Sequence, residues 1–176
     1  AWMLLLAAQV LLVASGRTAQ HRRLGRSVLV LAPLMVVLGS LASWRVAVRG
    51  FHDVPVPTDV FLAVPMLTVP VFGFFAAMGW RTRGRPDAHK RWMLLATMAI
   101  TGAGFARIPL VQQMVPPSVD ITIFALLALI LWDLASLKRI HPVTLWGGLV
   151  SLIVLVLPVP IGMTPLWRAL VAPLVG

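Results

Sequence analysis

Residues 60–106 read VFLAVPMLTVPVFGFFAAMGW, then RTRGRPDAHKR, then WMLLATMAITGAGFA. The first run is 21 residues without a charge, the middle eleven carry five cations, and the last is uncharged again. A hydrocarbon core about 30 Å thick is crossed by about 20 apolar residues of helix. The stretch therefore predicts two membrane-spanning helices joined by a basic loop. Pro65 and Pro70 lie inside the first of them. They free backbone carbonyls that neighbouring helices must shield, which predicts a kinked, internal helix.

The rest of the 176 residues repeats this alternation. Sixty per cent are hydrophobic, 11% are charged, and the mean hydropathy is +0.95; a soluble chain carries about 25% charge. The expected fold class is all-α, a polytopic transmembrane helix bundle. Its spans are read at about 1–15, 27–48, 60–80, 92–115, 119–137 and 144–163. They form one domain, 1–163, followed by an interfacial segment, 164–176. Thr164 is its expected N-cap and Pro165 its first helical residue. Because Ala1 opens within an apolar run, a further helix is expected ahead of it, making seven in the intact protein.

A net charge of +10 would suggest nucleic acid in a soluble protein. Here eleven of the fifteen Lys and Arg fall in 17–26, 81–91 and 138–139, between apolar runs. That is the bias that orients helices in a bilayer. The loops 16–26, 81–91 and 138–143 are expected on the cytoplasmic side of a bacterial inner membrane, and nucleic-acid binding is not expected. Asp53, Asp59 and Asp120 fall on the opposite side. The seven Trp read as an interfacial belt, with Trp80 and Trp92 flanking one basic loop. Small residues at four-residue spacing, Gly39/Ser43, Gly73/Ala77 and Ala99/Ala103, read as helix contact rows. With no cysteine, disulfides and thiolate metal sites are excluded.

Two loops share a pattern. Gly16-Arg17-Thr18-Ala19-Gln20-His21-Arg22-Arg23 and Gly84-Arg85-Pro86-Asp87-Ala88-His89-Lys90-Arg91 both read G-R-x-x-x-H-basic-R, 68 residues apart. They read either as a duplicated two-helix unit or as convergence of basic loops on the same residues. His21, His89 and His141 then share one membrane face. They are candidate cofactor ligands, since a haem b can be held between two imidazoles; the alternative is solvated or headgroup-contacting side chains. Arg22, Arg23, Lys90 and Arg91 are expected at anionic headgroups. Arg107 and Asp133 are charges within apolar runs, where charge is costly. Arg107 is expected to reach toward Asp120 or Asp59, and Asp133 to meet a basic loop. The chain has no glutamate, no Gly-rich phosphate loop and no His-Glu-x-x-His motif, so no catalytic residues are assigned.

Taken in order, Gly16-Arg17 with His21-Arg22-Arg23-Leu24-Gly25, Ala88-His89-Lys90-Arg91 leading into Met93-Leu94-Leu95-Ala96-Thr97, Ala106-Arg107-Ile108-Pro109, and Ile140-His141-Pro142 with Thr144-Leu145-Trp146-Gly147-Gly148 resemble an uncharacterised family of bacterial multi-pass inner-membrane proteins. The resemblance covers most of the chain. It implies a helix with a histidine ahead of residue 1, and no activity.

Three functions are compatible with these features. The first is a non-catalytic membrane subunit, an accessory component of a larger energy-transducing complex, with lipid and other membrane subunits as partners and no cofactor. The second is electron transfer through a b-type haem or quinone at the histidines. The third is a small transporter using Arg107 and Asp133.

Overall fold

The computed structural model describes residues 1–49, 57–105, 108 and 122–173, except for the side chains at 47, 59 and 103. Asp53, Arg107 and Asp120, and the side chain of Asp59, lie outside that description. Among the described residues all regular structure is helical: α1 (Trp2–Ala14), α2 (Thr18–Gly25), α3 (Val28–Arg49), α4 (Thr58–Arg81), α5 (Pro86–Phe105), α6 (Thr122–Leu137), α7 (Pro142–Val156), α8 (Pro158–Met163) and α9 (Pro165–Val171). Among the described residues three helices are long and apolar enough to cross a membrane, Thr18–Val46, Val60–Arg81 and Pro142–Met163. The first runs α2 into α3, and the last joins α7 to α8. Two shorter apolar helices, Trp2–Ala14 and Thr122–Leu137, accompany them.

Proline marks where helices start. Pro86, Pro142, Pro158 and Pro165 each open a helix, where a missing N–H costs no hydrogen bond and φ is already helical. This explains a difference from the expected boundaries. The basic loop 81–91 is half helix, because Pro86 with Asp87 in the first turn starts α5 six residues before Trp92. The loop 16–26 differs likewise. Gly16 turns the chain at φ 73°, and Thr18–Gly25 then winds into α2. The last span is interrupted at Leu157, before Pro158. Thr164 accepts a hydrogen bond from the Trp167 N–H at 3.2 Å, capping α9.

Helix α4 is the centre of the bundle, running unbroken through Pro65 and Pro70 and packing on α3, α5, α7, α8 and α9. Glycines set its closest approaches. A Cβ on Gly73 would sit 2.9 Å from Val36 Cγ2, and one on Gly39 would sit 3.2 Å from Val69 Cγ2. The two small-residue rows of α3 and α4 thus each receive a valine from the other helix, the packing that lets helices associate in lipid. The core is aromatic at one level: Trp92 lies 5.4 Å from Phe75 and 6.1 Å from Phe74, and Trp2 meets Phe72 edge-on at 4.8 Å. Trp2 and Trp92 are therefore buried core residues and not part of an exposed belt. The Trp2 indole N–H donates to Thr97 Oγ1 at 3.0 Å, as a buried indole requires.

Candidate functional site

The turns after α1, α4 and α6 meet at one end of the bundle, and the polar chemistry gathers there. At its centre Arg91 and Asp133 are buried, with 1% and 0% of their side-chain surface exposed. Arg91 Nε donates to Asp133 Oδ1 at 2.9 Å, and its Nη2 donates to the same oxygen. Nη1 donates to the Asp87 carbonyl at 2.7 Å. The other carboxylate oxygen, Oδ2, accepts from the His141 backbone N–H at 3.0 Å. Local folding makes this geometry. α6 ends at Leu137, and Lys138 takes a left-handed conformation at φ 57°. The chain is thereby reversed, and the start of α7 returns over Asp133.

Asp133 thus meets a basic segment, but Arg91 is not at the headgroups. A guanidinium committed to a buried carboxylate has no surface left for lipid, which corrects its expected role. Of the other three residues expected at headgroups, Lys90 Nζ pairs with Asp87 Oδ1 at 2.8 Å. Arg22 and Arg23 lie exposed in the last turn of α2. The Lys90 ammonium, bonded to Asp87, holds that carboxyl below its usual range.

His21 and His89 are each the fourth residue of their helices, α2 and α5. Their rings lie 6.2 Å apart between centroids, nearly perpendicular at 84°. Each ring is tied back to the preceding helix. His89 Nδ1 is 2.8 Å from the Gly79 carbonyl, so it carries the hydrogen and donates it. That leaves the Nε2 lone pair free. His21 is tied by Gln9, the one polar residue in the apolar run 2–14. Two backbone groups assign the orientation of the Gln9 amide: with its N–H₂ toward His21 O (3.1 Å) and its oxygen toward Gly25 N (2.8 Å) both are satisfied, and in the opposite orientation neither is. The same N–H₂ donates to His21 Nδ1. Neutral His21 therefore carries its hydrogen on Nε2, the other tautomer from His89.

This bears on the fit of a haem. Axial ligation needs a lone pair from each ring, with the second nitrogen donating to the protein. His89 has that arrangement and His21 has the reverse. His141 is not a third ligand either. It caps α7, its Nδ1 accepting from the Val143 N–H at 3.1 Å. Burial, followed by the charge of Arg91, pushes the His141 pKa down. Among the described residues no group of three or more His, Asp, Glu or Cys is placed to hold a metal ion.

Sequence reasoning did not reach Gln9 or the depth of Arg91. A lone glutamine in an otherwise apolar helix was the available signal for the first, since a polar group there needs a partner. For the second, it was Asp133 itself, a buried acid that demands a cation. No protein-family model, curated protein or solved structure matches the chain.

Proposed function

We propose that this chain is a non-catalytic, multi-pass subunit of the bacterial inner membrane, an accessory component of a larger energy-transducing complex. In this reading α1, α3, α4, α5, α6 and α7–α8 make six spans, the basic turns face the cytoplasm, and the chain belongs to the uncharacterised family that its motifs resemble. One observation carries the non-catalytic role. Asp133 has both oxygens occupied and Arg91 is spent on holding it. An acid that served as a proton or ion carrier would need a free oxygen and an exchangeable partner. The pair instead pins α5, α6 and α7 together. The donor–acceptor mismatch at His21 weighs against the electron-transfer reading in the same way.

The test is purification from native membranes in mild detergent, with an absorption spectrum and mass analysis of the intact particle. The expected result is a colourless particle of fixed composition containing larger membrane polypeptides. A reducible haem band at constant ratio would overturn the proposal. So would a solitary chain that takes up solute in liposomes and stops on Asp133→Asn.

A further inference from the structure

The last residue of α4 and the turn that follows it hold three arginines whose surroundings differ. Arg83 is committed: its Nη1 donates to the Trp80 carbonyl at 3.1 Å, and its guanidinium lies 4.6 Å over the Trp80 ring. Arg81 and Arg85 have no acid partner among the described residues. The nearby acid in sequence, Asp87, is engaged by Lys90. Both residues line an open cleft of about 420 Å³, together with Met78, Thr82 and Gly84. The turn leaves little in the cleft to neutralise them. Thr82 Oγ1 donates to the Met78 carbonyl at 2.7 Å, and Thr82 O accepts from Arg85 N at 2.7 Å. Gly84 borders open space, where a Cβ would meet nothing within 4 Å.

We infer that this cleft binds a phosphate group, that of an anionic phospholipid. Two unpaired guanidiniums offer the forked donors that match phosphate oxygens. The site sits at the end of a membrane-length helix, with Met78 on its wall and Trp80 beside it, where acyl chains and headgroups meet. This is separate from the proposed accessory role and stands whether or not that role holds.

The experiment is native mass spectrometry of the full chain from nanodiscs of phosphatidylglycerol and phosphatidylcholine. The variants are Arg81→Gln/Arg85→Gln, Arg83→Gln and Arg81→Lys/Arg85→Lys, with thermal melting as the folding control. The double glutamine variant is expected to lose retained phosphatidylglycerol by about thirtyfold, as two juxtamembrane cations are removed. Arg83→Gln is expected to retain it, and the double lysine variant, which keeps the charge and lacks the fork, to lose part of it; a double lysine variant that retained it in full would overturn the forked recognition. If Arg83→Gln loses half as much as the double variant, the attraction is general surface charge and the site does not exist. Unchanged retention in the folded double glutamine variant overturns the proposal too. Titration with inorganic phosphate in detergent separates the sources: saturation by free phosphate, with no preference for phosphatidylglycerol over phosphatidylcholine, would overturn the lipid assignment.

Discussion

Asp133 and Arg91 show what one buried charge requires of its surroundings. A buried pair broken on one side leaves the other charge uncompensated, which costs about 3–5 kcal/mol. Asp133→Ala should therefore destabilise the bundle by about that amount, measured by denaturant unfolding in mixed micelles. Arg91→Met/Asp133→Leu should recover most of the loss, because apolar residues of similar volume need no desolvation. Failure of the double variant to recover would mean that the pair does more than join helices. His141 makes a second prediction at this scale. Its folded pKa lies below the ordinary value of 6.5, through burial and then Arg91, with Arg139 acting in the same direction and Asp133 and Asp87 against it. In that window the unfolded chain binds more protons than the folded one, so stability is full above about pH 6.5 and falls as pH drops through the folded pKa. The melting temperature should fall between pH 7.5 and pH 5. His141→Asn, which keeps an N-cap acceptor, should flatten that dependence, and an unchanged slope would remove His141 as its source.

Between elements, the decisive contacts are made by residues with almost no side chain. Gly73 and Gly39 let α3 and α4 approach until valine methyls meet backbone. Overpacking such a contact costs about 1–3 kcal/mol. Gly73→Ala should destabilise within that range and be rescued by Val36→Ala, because the clash is with a side chain that can be trimmed. Gly162 in α8 behaves differently. A Cβ there would lie 2.6 Å from Val60 Cα, a backbone atom of α4. Gly162→Ala should destabilise, and Val60→Ala should fail to rescue it. Thermal melts of the two single and two double variants distinguish the cases. Rescue at both sites would mean that α8 shifts freely on α4.

At the scale of the molecule, three polar turns converge on one end while the helices between them present apolar faces. The bundle end is joined by Arg91–Asp133, by Asp133 with the His141 N–H, and by the apposed His21 and His89. If the basic turns face the cytoplasm, positions 23, 83 and 139 lie on the same side of the membrane. The absence of native cysteine makes single-cysteine labelling clean. Cysteines placed at Arg23, Arg83 and Arg139 should react with an impermeant maleimide in inverted vesicles and be protected in intact spheroplasts. Labelling of the three from different sides would contradict the six-span arrangement.

Composition and hydropathy by themselves determined that the chain is helical and has helices of membrane length, because about 20 consecutive apolar residues have few other physical outlets. The same patterning located the basic turns, and Pro165 marked a real helix start, whereas the break of the last span at Leu157 and the new helix from Pro158 came only with the structure. Spacing also put His21 and His89 at matching places in two similar loops. Only the tertiary structure decided what those residues do. Arg91 and Asp133 are 42 positions apart, and nothing local tells a lipid-facing arginine from one turned inward to a carboxylate. Whether His21 presents a lone pair or a hydrogen depends on Gln9, twelve residues earlier in another helix, and on the backbone of Gly25. Burial, pairing and tautomer depend on contacts between helices, whereas hydropathy is carried by each residue alone.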